Sequence, residues 1–213
     1  MKIEIWYDFV CPFCFLGETK FEMALNTLSF KENISLTFRS FQLNPSQSKV
    51  ETQGKDIHQI IAEKYHISYD QAKANNDRIV ASAKAVGLNY RFDLLKPSNT
   101  EKAHMLAHSV KDTQSQQDFI KRVYSAYFEE GADISDTGTL LKLMSDVGLD
   151  TSAFEKHLED PGLLTRVKQD QEQARALGVN GVPFFLIDGK YAISGAQSVE
   201  HFIETLTTAY QSR

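Results

Sequence analysis

The chain has 213 residues and a mass of 24.1 kDa, which allows one large domain or a smaller one carrying an insertion. With 42% hydrophobic and 24% charged residues, 11 Gly and 5 Pro, it is neither disordered nor collagen-like. A net charge of −5 gives no basic footprint for nucleic acid, and no apolar run approaches the roughly 20 residues of a membrane helix. Neither nucleic acid nor membrane is therefore an expected partner. Lys2 and Glu4 interrupt the stretch where a secretory signal would lie, so the expected compartment is the cytoplasm. The only two cysteines are Cys11 and Cys14, and in such a chain a close pair points to catalysis or metal binding rather than a structural disulfide.

Residues 2–8 alternate and are rich in bulky side chains, as a strand requires. Pro12 suits the first turn of a helix, and Phe15, Leu16, Phe21, Ala24, Leu25 and Leu28 give that helix an apolar face. Ile34, Leu36 and Phe38 return to period two. The order predicts a βαβ unit with a parallel strand pair. After Pro45 the chain reads as a run of helices. One opens at the Ser68–Gln71 capping box and ends at Gly87. Others run from Asn99-Thr100 to Val110, from Ser115 to about Gly131, and from Asp136 to Gly148. A short helix capped by Thr151 stops before Pro161, and Tyr90–Phe92 is the one extended piece expected in this block. A helix from about Leu163 to Gly178 precedes a strand at Phe184–Ile187, an Asp188-Gly189 hairpin turn and a partner strand at Lys190–Ser194. Ser198 caps a last helix bearing Val199, Phe202, Ile203, Leu206 and Ala209.

The strongest chemical signal is Cys11-Pro12-Phe13-Cys14 at the strand-to-helix junction. A cysteine at a helix N-cap faces unpaired N–H groups and the positive end of the dipole, which favour a thiolate at neutral pH. Cys11 is then the attacking thiol, and Cys14, one turn further in, resolves the mixed disulfide. Zinc competes for the same residues, because His104 and His108 complete a formal Cys2His2 set. Their 90-position separation from Cys14 and the helix-starting Pro12 argue against it, so no metal is expected. Val182-Pro183 is the second signal. A proline opening a strand fits a tight turn in which a cis bond is common, and it leaves the Val182 backbone free to pair with an extended substrate; alone, it would read as an ordinary turn proline.

Several side chains carry two readings each. Asp8 either accepts a proton from Cys14 or caps its loop. Gln42 and Asn44 end the second strand, where α/β sheets hold ligands, or merely turn the chain. His104 faces the cleft from the helical block or packs within it. Phe9, Phe13 and Phe15 border an apolar groove or fill the core, and Trp6 is most simply core.

Beyond the cysteine pair, the segments Asp8–Cys14, Phe41–Pro45, Asn99-Thr100 with Ala103-His104, Gly178–Phe185 and Ser194–Gln197 occur in the order seen in DsbA-like thioredoxin-fold proteins. The chain resembles that family, in particular its FrnE-like dithiol–disulfide oxidoreductases. The resemblance implies an α/β thioredoxin-like domain (residues 1–45 and 163–213) interrupted by an all-helical domain (46–162). It also implies Pro183 in cis and thiol–disulfide exchange or isomerisation at Cys11 and Cys14. Val182, Pro12, Phe13, Asp8, Asn44 and His104 would line the substrate site. Substrates would be protein or small thiols and disulfides, with glutathione as a candidate redox partner, a separate recycling partner, and no cofactor beyond the Cys11–Cys14 disulfide. The same family holds kappa-type glutathione transferases and 2-hydroxychromene-2-carboxylate isomerases, which use glutathione and carry serine at the position of Cys11. That function is the alternative. Phe13 replaces a histidine frequent in secreted DsbA proteins, which implies a less oxidising pair here.

Overall fold

A computed structural model describes residues 1–47 and 54–213. Strand β1 (Lys2–Tyr7), helix α1 (Pro12–Leu25) and strand β2 (Ser35–Ser40) form the expected βαβ unit. β1 and β2 run parallel, with Ile3 opposite Leu36 and Ile5 opposite Phe38. β3 (Phe184–Ile187) lies antiparallel to β1, and β4 (Tyr191–Ser194) antiparallel to β3, giving the order β2-β1-β3-β4. The hairpin turn begins at Asp188-Gly189, both at positive φ (48° and 69°). Because Ile187 pairs with Tyr191, Lys190 belongs to the turn rather than to the strand.

The two faces of the sheet differ. On one, Ile3, Ile5 and Phe185 meet α1 and the C-terminal α9 (Val199–Gln211). Phe21, Phe185 and Phe202 interlock there with ring centroids 5.0–5.6 Å apart. Each is fully buried and contributes roughly 1.5–3 kcal/mol of transfer free energy. On the other face, Trp6 packs with Phe41, Ala174 and Val179 against α8 (Pro161–Ala176). Its indole N–H donates to the Asp170 carbonyl at 3.0 Å.

Helices α2 (Ile57–Tyr65), α3 (Tyr69–Lys84), α4 (Glu101–Ser109), α5 (Thr113–Phe128), α6 (Thr137–Asp146) and α7 (Phe154–Leu158) fill the middle of the chain. Ser68, Asp136 and Ser198 cap α3, α6 and α9 as their sequence pattern requires. Elsewhere the boundaries move for identifiable reasons. Helix α2 was not expected at all, yet Asp56 and Gln59 form a full capping box at its start. Asp112, not Ser115, caps α5, and its carboxylate accepts the Ser115 N–H. Asp160 accepts the Gly162 N–H, so α8 opens at Pro161 rather than Leu163. Thr151 caps nothing; α7 follows Ala153 without a side-chain cap. Of the piece expected to be extended at Tyr90–Phe92, Tyr90 and Arg91 lie outside any helix or strand and Phe92 opens a 3-10 turn, Phe92–Leu94. We propose that the domain borders lie at 45/46 and 162/163; the second falls in the first turn of α8.

Candidate active site

Helix α1 starts because Pro12 occupies its first position, and Cys11 is the N-cap residue in extended conformation. The cap makes no side-chain hydrogen bond to the helix, so the sulfur is left for other chemistry. The Cys11 thiol instead donates to the Val182 carbonyl at 3.3 Å. The Val182–Pro183 bond is cis, and the Pro183 carbonyl accepts the Gly195 N–H at 2.8 Å. A turn far along the chain thus faces the cysteine pair, and both cysteines are free thiols.

Gly17 explains how α1 and that turn come so close. A Cβ there would stand 2.8 Å from Pro183 Cγ and 3.3 Å from Ala196 Cα. A glycine inside an otherwise good helix costs about 1 kcal/mol relative to alanine, and this cost was the unread signal. Tyr90 was missed too: its hydroxyl donates to the Pro12 carbonyl at 2.7 Å, tying the Cys-Pro-Phe-Cys turn to the segment before α4.

Cys11, like Cys14, is buried, at 4% exposure. Phe13 is 45% exposed between them and Leu43 is 39% exposed, which gives the site an apolar rim. Cys14 is 1% exposed. Burial pushes its thiol well above the ordinary range, and the neighbouring Cys11 and Asp8 carboxylate add to the rise. The Asp8 N–H partly offsets this by donating to Cys14 Sγ at 3.5 Å.

Asp8 is itself fully buried. Its carboxylate accepts the Leu43 N–H at 2.8 Å, so it ties the end of β2 to the thiol turn rather than capping its own loop. Its other oxygen lies 3.3 Å from His104 Nε2. His104 is 0% exposed, wedged against the rings of Tyr7 and Phe9, with Nδ1 unpartnered. Of the residues expected at the substrate site, Val182, Pro12, Phe13 and Asp8 therefore gather around the cysteines, and His104 joins them behind Asp8. Asn44 is occupied within its own turn, donating to Gln47 and accepting from Ser46. The Gln42 backbone is held at both groups by the Gln171 side chain. His104 and His108 do not converge with the cysteines on one ion: His108 turns to Ser40 and Asp170. Among the described residues no group of three or more His, Cys, Asp or Glu side chains has a metal-holding arrangement.

A four-stranded mixed sheet, a Cys-x-x-Cys at the start of a helix and a cis-proline turn facing it define a thioredoxin-fold dithiol protein. The model of the DSBA-like thioredoxin domain matches residues 2–207, and the chain belongs to that family. It is 32% identical to a probable DsbA oxidoreductase from Streptomyces coelicolor, covering 100% of this chain and 91% of that one with a TM-score of 0.89. An uncharacterized protein of Bacillus subtilis, YwbO, is 29% identical over 97% of this chain and 96% of its own. Two further structures share the fold. The cytosolic disulfide reductase DsbM of Pseudomonas aeruginosa is 17% identical, with 100% of each chain covered and a TM-score of 0.67. A 2-hydroxychromene-2-carboxylate isomerase is 18% identical, covering 100% of this chain and 95% of that one with a TM-score of 0.68. Family membership supports thiol oxidoreductase or isomerase chemistry in general. Among the described residues no helix is long and apolar enough to cross a membrane.

Proposed function

We propose that this protein is a thiol–disulfide oxidoreductase or isomerase working through Cys11 and Cys14 with Pro183. The observation that carries the reading is Cys11 at the α1 N-cap, its thiol 3.3 Å from the carbonyl before a cis-proline, with Cys14 one turn behind it. Cys11 attacks a substrate disulfide and forms a mixed disulfide. Cys14 then attacks Cys11 Sγ and releases the reduced substrate, and the reverse sequence reduces or reshuffles the pair. The apolar rim of Phe13 and Leu43 suits protein segments bearing thiols or disulfides. Small thiols reach the same sulfur, with glutathione as redox partner and a separate protein for recycling. No further cofactor enters this scheme. The cytoplasm is the proposed compartment, in line with a cytosolic structural neighbour. A Phe at position 13 also supports a pair less oxidising than secreted DsbA, at about −120 mV.

Equilibration in glutathione redox buffers, followed by alkylation and mass counting of free thiols, tests this. A reversible two-thiol transition that Cys11→Ser abolishes is the expected result. A midpoint near −270 mV marks a reductant, and one well above about −200 mV an oxidant or isomerase. A stable glutathione adduct without ring closure, or glutathione-dependent turnover retained in Cys11→Ser, overturns the dithiol reading in favour of the isomerase or transferase alternative.

A further inference from the structure

Tyr90 belongs to the helical block yet reaches the reacting turn. It lies between α3 and α4, is 3% exposed, and stacks on Phe128 of α5 and Phe15 of α1 with ring centroids 4.8 and 5.9 Å apart. That packing fixes the ring, and its hydroxyl donates to the Pro12 carbonyl at 2.7 Å. Pro12 is the first residue of α1, and its carbonyl shares one planar peptide unit with the Phe13 N–H. An N-cap side chain accepts from the second or third N–H of its helix. The third, that of Cys14, already lies 3.0 Å from the Cys11 carbonyl, which leaves the Phe13 N–H for the Cys11 sulfur. While it keeps its proton, the Cys11 thiol donates to the Val182 carbonyl. Once ionised it has nothing to donate and needs a donor of its own.

We propose that Tyr90 is a positioning residue for the Cys11 thiolate: its hydroxyl polarises the Pro12–Phe13 peptide and so strengthens the Phe13 N–H as donor to the ionised sulfur. This rests on the dithiol reading above and brings the helical block into it. Hydrogen bonds in a chain polarise one another, and a bond to an ionised acceptor gains most. The hydroxyl therefore counts for more once Cys11 is a thiolate than while it is a thiol. It keeps its own proton throughout, so no atom or electron passes through it. Burial, with negative charge at Cys11, Cys14 and Glu129, pushes the phenol well above the ordinary range against a smaller pull from the Leu16 N–H, and it remains a donor. The titratable groups facing Cys11 are Cys14 on α1, Tyr90 before α4 and Tyr124 on α5, with Asp8 behind Cys14. Burial holds Tyr124 neutral in the same way, but its hydroxyl has no partner. Of these two phenols only Tyr90 is tied to the thiol turn.

The test removes one oxygen atom. Tyr90→Phe keeps the stacked ring and loses only the donor. Alkylation of Cys11, located by peptide mass, is followed in the reduced protein across a pH series. On the rising limb of that profile Tyr90→Phe should react about threefold more slowly, the scale of one weakened charge-assisted hydrogen bond. At the alkaline plateau, where the thiol is ionised in both proteins, the rates should match. In glutathione redox buffers the equilibrium should move about threefold towards the disulfide, because only the reduced state carries the thiolate. A ring-fluorinated tyrosine placed at position 90 keeps the ring and its O–H but is the more acidic donor, so it should displace the limb the other way. A Tyr90→Phe limb and redox equilibrium at the parent values overturn the proposal while leaving the dithiol reading standing. So does a lowered plateau without a displaced limb, which altered access to the sulfur would give. A fluorinated variant displaced in the same direction as Tyr90→Phe reduces Tyr90 to a packing role and overturns it as well. Absence of a reversible two-thiol transition in the unmutated protein would sink the dithiol reading instead, with the alkylation profiles still deciding what Tyr90 does.

Discussion

Two buried aspartates, each met by a histidine of α4, occupy one end of this molecule and are compensated very differently. Asp170 on α8 accepts from Arg39 Nη1 at 3.0 Å and the Ser40 N–H at 2.9 Å, and lies 2.9 Å from His108 Nε2. Arg39 also holds Glu4 at 2.6 Å, so one guanidinium clamps β1, β2 and α8 together. Asp8 has no guanidinium. It has one backbone N–H, a histidine one helical turn before His108, and a thiol beside it. Asp170 is held by a guanidinium, whereas Asp8 is held by a backbone N–H and an imidazole with the Cys14 sulfur against its own N–H. The same pair of residue types is thus tied to a cation at Asp170 and left without one at Asp8.

That contrast can be broken most forcefully at Arg39. Arg39→Leu leaves Asp170 buried without its guanidinium and Glu4 with Lys2 alone, and should destabilise the fold by about 3 kcal/mol in urea denaturation. Exchange activity per folded molecule should change little. A loss below about 1 kcal/mol would mean that the Asp170 cluster is no clamp and that the two aspartates are alike.

Glu18 sharpens the comparison as a further buried carboxyl, with Gln117 Nε2 at 3.5 Å from its side chain. Burial, helped by Glu22, pushes it up to about 8. In the unfolded chain it titrates near 4.5. Between these values the folded protein holds a proton that the unfolded chain has lost, so stability falls as pH rises through the window. Glu18→Gln should flatten that slope, gaining on the order of 2 kcal/mol over the parent at about pH 9 relative to about pH 5. Parallel stability curves for the two proteins would refute the buried acid.

The smallest effect belongs to the exposed side of the site. Phe13→His places a potential cation beside the sulfurs and should raise the reduction potential by about 30 mV, equivalent to about 1.4 kcal/mol. Redox equilibration with glutathione measures it, and an unchanged potential would show that residue 13 does not tune the pair.

Much of this was legible in the sequence where the information is local. Ser68, Asp136 and Ser198 announce their helices because a cap is decided within four residues. The Cys11–Cys14 spacing, Pro12 and Pro183 were equally plain. Helix α2 was missed although Asp56 and Gln59 carry the same code and Ile57, Ile60 and Ile61 recur at helical spacing; it is nine residues long and none of them is buried. The Asp8–His104 contact joins residues 96 positions apart. Each residue alone carries two readings, and nothing local in the sequence shows that the two side chains meet. Gly17 sits between these cases. A glycine inside a helix is visible in the sequence, but the Pro183 ring it admits is not.

Trp6 gives the sheet a built-in optical gauge. It is the chain's one tryptophan, wholly enclosed beneath α8, with its indole N–H bonded to the Asp170 carbonyl. Its emission should therefore follow α8 lifting from the strands and shift to the red as that helix leaves, so light alone would time the departure of one helix in a chain whose other aromatic rings are phenylalanine and tyrosine.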